Sequence, residues 1–201
     1  LINHSERPII LCGHGVIAGR ASAALRAFAE RANIPVAFTL HGLSALPMDH
    51  PLSVGMVGMH GTVEANRALL NADLILSFGM RFDDRVTGNL DVFGVNAKVI
   101  HVEIYPSEID KNVKTSVAIN ADTGEVLNLL ARDPELTSKP RQRWFVQIDA
   151  YRADRPPGDK EHRRETDIAA SSLSPQKLYG TPVGLMFFEG APRLRAAGVT
   201  I

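Results

Sequence analysis

Short runs of apolar residues at 8–12, 35–39, 74–78 and 98–103, with a weaker one at 116–120, most constrain how this chain can fold. An alternating run would leave one face of a strand to water, whereas a run that is apolar at successive positions must be covered on both faces. The stretches between these runs carry a helical period. In 20–32 the apolar residues Ala21, Ala24, Leu25, Phe28 and Ala32 recur at helix spacing, and Thr62 is placed to cap a second helix that runs to about Asn71. Pro106 suits the first turn of a third, shorter helix, and a fourth is expected over 123–131. Strand alternating with helix predicts an α/β fold with a doubly wound parallel sheet, and such sheets take ligands at the carboxyl ends of their strands.

Beyond Ala131 the texture changes. Residues 133–139 are polar, 140–154 has the pattern of an amphipathic helix carrying Trp144, Phe145 and Ile148, and 155–166 is charged and proline-bearing like a linker. The last stretch, 181–201, has no clear period. The expected organisation is a domain over 1–132, a linker over 133–180 and an atypical tail over 181–201. The chain opens at Leu1 and enters a strand almost at once, which reads as a piece of a longer protein.

Lysine plus arginine and aspartate plus glutamate number 22 each and are interspersed, so no basic excess favours nucleic acid. No apolar run nears the roughly 20 residues that span a bilayer, and the first one lacks the flanks of a secretory signal. A cytoplasmic protein without membrane or nucleic-acid partners is therefore expected. The single cysteine, Cys12, lies in an apolar run and reads as a buried, reduced thiol.

The chemistry is concentrated where strands end. Gly13-His14-Gly15 follows the first strand and would let a phosphate approach backbone amides, although a tight turn without ligand uses the same residues. Thr39-Leu40-His41-Gly42 follows the second strand, and the long connection onward reaches Gly58-Met59-His60-Gly61 just before the helix capped by Thr62. A connection of that length within an α/β unit is usually functional or disordered. His41 and His60 lack acidic or thiol partners at metal-ligand spacing, and no metal site is assigned. The most distinctive run is Gly79-Met80-Arg81-Phe82-Asp83-Asp84-Arg85-Val86-Thr87-Gly88. Its two arginines and two aspartates can form a local ion-pair lattice, or else present planar forks to a phosphate or carboxylate. Glu103 and Asp122 close later strands, where a carboxylate can accept hydroxyls of a nucleotide or cap the following helix.

Taken in order, these turns, together with His101-Val102-Glu103-Ile104 and Pro106-Ser107-Glu108-Ile109, resemble the central domain of acetolactate (acetohydroxyacid) synthase, a thiamine diphosphate enzyme. The resemblance covers roughly 7–131. It implies a Rossmann-like domain that holds FAD in an extended pose, the flavin playing a structural rather than an obligatory redox part. By that likeness the cofactor would be lined by Gly13, His14, Gly15, Thr39, Leu40, His41, Gly58, Met59, His60, Gly79, Met80, Arg81, Asp83, Glu103, Ile104 and Asp122. Met59 and Arg85 match positions that reach toward the active site, Arg85 toward the carboxylate of a second 2-oxo acid. The implied parent reaction condenses pyruvate with that acid in branched-chain amino acid biosynthesis, in a homo-oligomer with a regulatory subunit as a further partner. By the same likeness a glutamate of an N-terminal domain would activate its thiamine, and a Gly-Asp-Gly motif with a later asparagine in a C-terminal domain would hold Mg2+ and the diphosphate; neither domain is expected in this sequence. Ser172-Leu173-Ser174-Pro175 resembles the segment joining the last two domains, but the likeness stops after Gly180. No catalytic residue is therefore expected in the chain itself, and it should be silent alone. Two other readings stay open: a stand-alone nucleotide-binding module, and the middle domain of another thiamine diphosphate decarboxylase or carboligase. The run through Gly88 argues for acetolactate synthase among the latter.

Overall fold

The computed structural model describes residues 1–154. The expected linker over 155–166, the Ser172–Pro175 motif and the tail over 181–201 lie outside the described residues. Six strands form one sheet: β1 (Pro8–Cys12), β2 (Val36–Phe38), β3 (Ser53–Met56), β4 (Leu74–Phe78), β5 (Lys98–Val102) and β6 (Val117–Ile119). Every pairing is parallel, and the spatial order is β3-β2-β1-β4-β5-β6. The order reverses between β1 and β4, so the crevice outside their carboxyl ends is the topological switch point.

Both faces of the sheet are covered, as the apolar runs require. On one face Phe28 of helix α2 (Ser22–Ala32) meets Phe78 of β4 edge-on, ring centroids 6.1 Å apart. Helix α5 (Thr123–Arg132) packs beside α2, and the short helix α1 (His14–Ala18) opens from the first turn and touches both. On the other face Ile9, Leu11, Ile75 and Val99 form a core with Ala65, Ala68 and Leu69 of helix α3 (Val63–Asn71). That core also takes Trp144 and Ile148 from helix α6 (Gln142–Ala153). The indole of Trp144 donates to the Pro8 carbonyl at 2.9 Å, so its burial leaves no polar atom unmet. A single-turn helix, α4 (Asp84–Thr87), lies between β4 and β5.

Two strong helix expectations hold at the level of capping. Thr62 accepts from the Ala65 amide, and Asp122 accepts from the Gly124 and Glu125 amides at the start of α5. The turn at Pro106 is shorter than expected, a single 3-10 turn over Pro106–Glu108. Strand β3 was not anticipated: it hides in the long connection after β2, because Ser53-Val54-Gly55-Met56 is not a β-branched run and Gly55 bends it at φ +107°.

The far edge, at the amino ends of the strands, is stitched by charge-assisted bonds to carbonyls. The buried guanidinium of Arg141 donates to the carbonyls of Ile2, Ser5, Ala32 and Asn33, and desolvation there lowers its pKa. Arg31 does the same for Ala131, Asp133 and Leu136, supplying donors to carbonyls left over at the end of α5. No described helix is long and apolar enough to cross a membrane.

Candidate functional site

Because all six strands run the same way, the residues that follow them share one edge. The structure brings Gly13-His14-Gly15, Thr39-Leu40-His41, Gly58-Met59-His60, the run from Gly79, Glu103-Ile104 and Asp122 to that edge, one group after each strand in turn.

At the switch point the glycines serve the chain before any ligand. A Cβ on Gly13 would stand 2.2 Å from the Met80 Cβ, and one on Gly15 would stand 2.6 Å from the Gly79 Cα. The two turns therefore interlock backbone on backbone, with the Gly13 amide donating to Phe78 and the Gly15 amide to Gly79. Gly79 itself turns at φ +58°. Gly58, at φ +99°, packs in the same way on the Arg85 carbonyl, and both its amide and its carbonyl are held by the Asn66 side chain. Close packing of two turns at this spot is what small residues permit, and it fixes their separation.

The run over 79–88 then acquires a definite polarity. Its carbonyls are taken up by the protein: Gly79 by the Gly15 amide, Met80 by His101 Nε2 at 2.9 Å, Phe82 by Asn112 at 2.6 Å, Asp83 by the Val86 and Thr87 amides, and Arg85 by the Met59 amide. The amides of Met80, Arg81, Phe82 and Asp83 make no hydrogen bond to any described residue. Successive unengaged amides beside a strand end present positive partial charge outward. Arg81 and Arg85 add two exposed guanidinium groups. Among the described residues neither makes an ion pair, so the aspartate–arginine lattice does not form. Asp83 instead caps α4, accepting from the Arg85 and Val86 amides.

The remaining groups complete the edge unevenly. His14 and His41 meet edge-on with centroids 6.2 Å apart, both exposed. Met59 is 69 % exposed and Ile104 57 %. Thr39 and Glu103 are buried, one Glu103 oxygen accepting from the Tyr105 amide. The Met80 side chain belongs to the core, so that residue offers only its backbone to the edge. Asp122 has one oxygen committed to its helix cap. Cys12 is buried, and desolvation pushes its thiol far up, so it is no nucleophile.

A family model described as thiamine pyrophosphate enzyme, central domain, matches residues 1–130. The chain belongs to this family. It is 48% identical over 149 residues to a protein named probable acetolactate synthase large subunit from Methanocaldococcus jannaschii, covering 74% of this chain and 25% of that one. The acetolactate synthase large subunit of Parasynechococcus marenigrum is 40% identical over 202 residues, covering 97% and 33%. Acetolactate synthase 1, chloroplastic, of Oryza sativa subsp. japonica is 43% identical over 169 residues, covering 82% and 26%. The chain thus spans about a quarter to a third of the length of these relatives.

Within this central domain, three residues that shape the edge carry no signal of their own in the sequence. Asn66 acts through its side-chain amide on the turn at Gly58, Asn112 through its own on Phe82 in another loop, and His101 acts from inside a strand. Only His101 stood in a recognisable run, and its spacing there says nothing of its partner.

Proposed function

We propose that this chain is the central domain of an acetolactate synthase large subunit and that its carboxyl edge cradles FAD. The observation that carries the reading is the run over 79–88: the carbonyls of Gly79, Met80, Phe82, Asp83 and Arg85 are engaged, while among the described residues four amides and the guanidinium of Arg81 have no partner. That donor set fits a diphosphate. Exposed Met59 and Ile104 offer apolar contact to planar rings, and Gly13, His14, Gly15, Thr39, Leu40, His41, Gly58, His60, Gly79, Met80, Asp83, Glu103 and Asp122 lie along the same edge. The flavin would supply shape and rigidity rather than an obligatory electron transfer. Thiamine diphosphate and Mg2+ would be held by other segments of the longer protein.

Arg85 is the substrate contact in this reading. Its guanidinium is exposed while its carbonyl is locked to the Met59 amide at 3.0 Å, so the side chain is carried on a fixed backbone next to Met59. A planar fork without an acid partner among the described residues suits the carboxylate of a 2-oxo acid. The parent would condense pyruvate with such an acid, in the cytoplasm, as a homo-oligomer with a regulatory subunit.

The test places residues 1–154 in the Methanocaldococcus jannaschii relative in place of its matching segment and assays acetolactate formation from pyruvate. An active chimera is expected, and Arg85→Ala within it should lose about 10- to 1000-fold in kcat/KM, corresponding to about 1.4–4 kcal/mol of transition-state binding. Unchanged kcat/KM in that variant would remove Arg85 from the substrate site.

A further inference from the structure

Two buried polar atoms on the core face have no partner among the described residues: Ser77 Oγ and His101 Nδ1. Both residues are fully buried. They are directly paired in register across β4 and β5, so their side chains stand on the same face of the sheet as neighbours. The other ring nitrogen of His101, Nε2, contacts the Met80 carbonyl at 2.9 Å. A carbonyl only accepts, so Nε2 must carry the hydrogen. In the neutral ring Nδ1 is then an acceptor, and the Ser77 hydroxyl is the adjacent donor. A bond between these two orphaned atoms on neighbouring strands would satisfy both, and the hydroxyl is free to turn its hydrogen toward the ring.

We infer that Ser77 and His101 form a buried positioning relay that fixes the Nε2–H tautomer and thereby holds the run carrying Arg81 and Arg85. Ser77 donates to Nδ1, Nε2 donates to the Met80 carbonyl, and the carbonyl so held turns the neighbouring amides outward. The Phe82 ring packs edge-on against the imidazole, centroids 4.9 Å apart, which restricts its rotation. The relay touches neither cofactor nor substrate. Its consequence for ligands rests on the reading of this edge as a flavin cradle, but its geometry does not.

The experiment uses the full 201-residue chain labelled with 15N-histidine, with the His101 signals assigned by their loss in His101→Gln. The Nε2–H tautomer is expected, with Ser77→Ala shifting the Nδ1 resonance; an Nδ1–H tautomer, or an Nδ1 signal indifferent to Ser77→Ala, overturns the relay. His101→Phe should displace the backbone amide signals of 80–86 and weaken FAD about tenfold or more while unfolding cooperatively. His101→Gln, which restores a donor near the Nε2 position, should return binding to within about threefold. Unmoved amide signals in a folded His101→Phe would also sink the inference. Should the unaltered chain bind no FAD, the flavin reading fails, while the tautomer and the amide shifts still decide the relay.

Discussion

A methyl group added at position 42 would sit 2.1 Å from the Cys12 carbonyl oxygen, which belongs to the central strand and cannot give way. Gly42→Ala should therefore cost about 3 kcal/mol or more, an overpacking effect against fixed backbone, measured as a shift in urea midpoint. Gly124→Ala is the contrast. Its nearest neighbour would be the Asp122 carboxylate at 3.1 Å, the site is helical, and its stability should stay within about 1 kcal/mol of the parent. The glycine turns were legible in the sequence as turns next to helices. What each glycine avoids was not, because the atoms concerned belong to other turns: Met80 for Gly13, Arg85 for Gly58, Cys12 for Gly42. Asp73 carries a residue-scale prediction of a different kind. Burial tends to raise its pKa, but the Ser5 hydroxyl, the amides of Glu6 and Arg7, and the Arg7 charge outweigh this and hold it low. A carboxyl lowered by folding contributes stability that is fully present above its ordinary pKa of about 4 and is lost as pH falls through the lowered value. Asp73→Asn should accordingly flatten the acid side of the stability–pH profile and leave less to lose there.

Helix α6 shows what an element adds that periodicity cannot announce. Its sequence suggested an amphipathic helix, yet only the fold reveals that Trp144 and Ile148 fill the same core as β1, β4 and α3. Trp144→Ala should cost about 3–5 kcal/mol, read by circular dichroism because this is the chain's single tryptophan. A chain ended at residue 132 should bind a hydrophobic dye and melt without a sharp transition, whereas one ended at 154 should melt cooperatively. Strands β1, β4 and β5 could be read at once from their apolar runs. Strand β3 could not: a glycine at φ +107° and a register shift opposite Val36 and Ala37 break the pattern by which a buried strand is recognised. The fixed parallel order nonetheless needs it, since without β3 the turn at Gly58 would have no strand to follow.

At the scale of the molecule, parallel topology is what turns scattered motifs into one edge. Six turns separated by as many as 109 positions, from Gly13 to Asp122, converge because every strand points the same way. The sequence therefore located the edge, while the division of labour along it came from geometry: Arg81 and Arg85 without an ion pair among the described residues, capping Asp83 and Asp122, buried Glu103. The chain covers a quarter to a third of its relatives, and we expect it to form no acetolactate from pyruvate on its own with thiamine diphosphate and magnesium supplied. What the chain is expected to do is bind flavin. Titrating the purified 201-residue chain with FAD, followed by flavin absorbance and fluorescence, should give saturable binding that Arg81→Ala weakens about tenfold or more, the loss expected when a charge-assisted phosphate contact is removed. A cooperatively folded chain that takes up no FAD, or that binds it equally well without Arg81, would contradict the account.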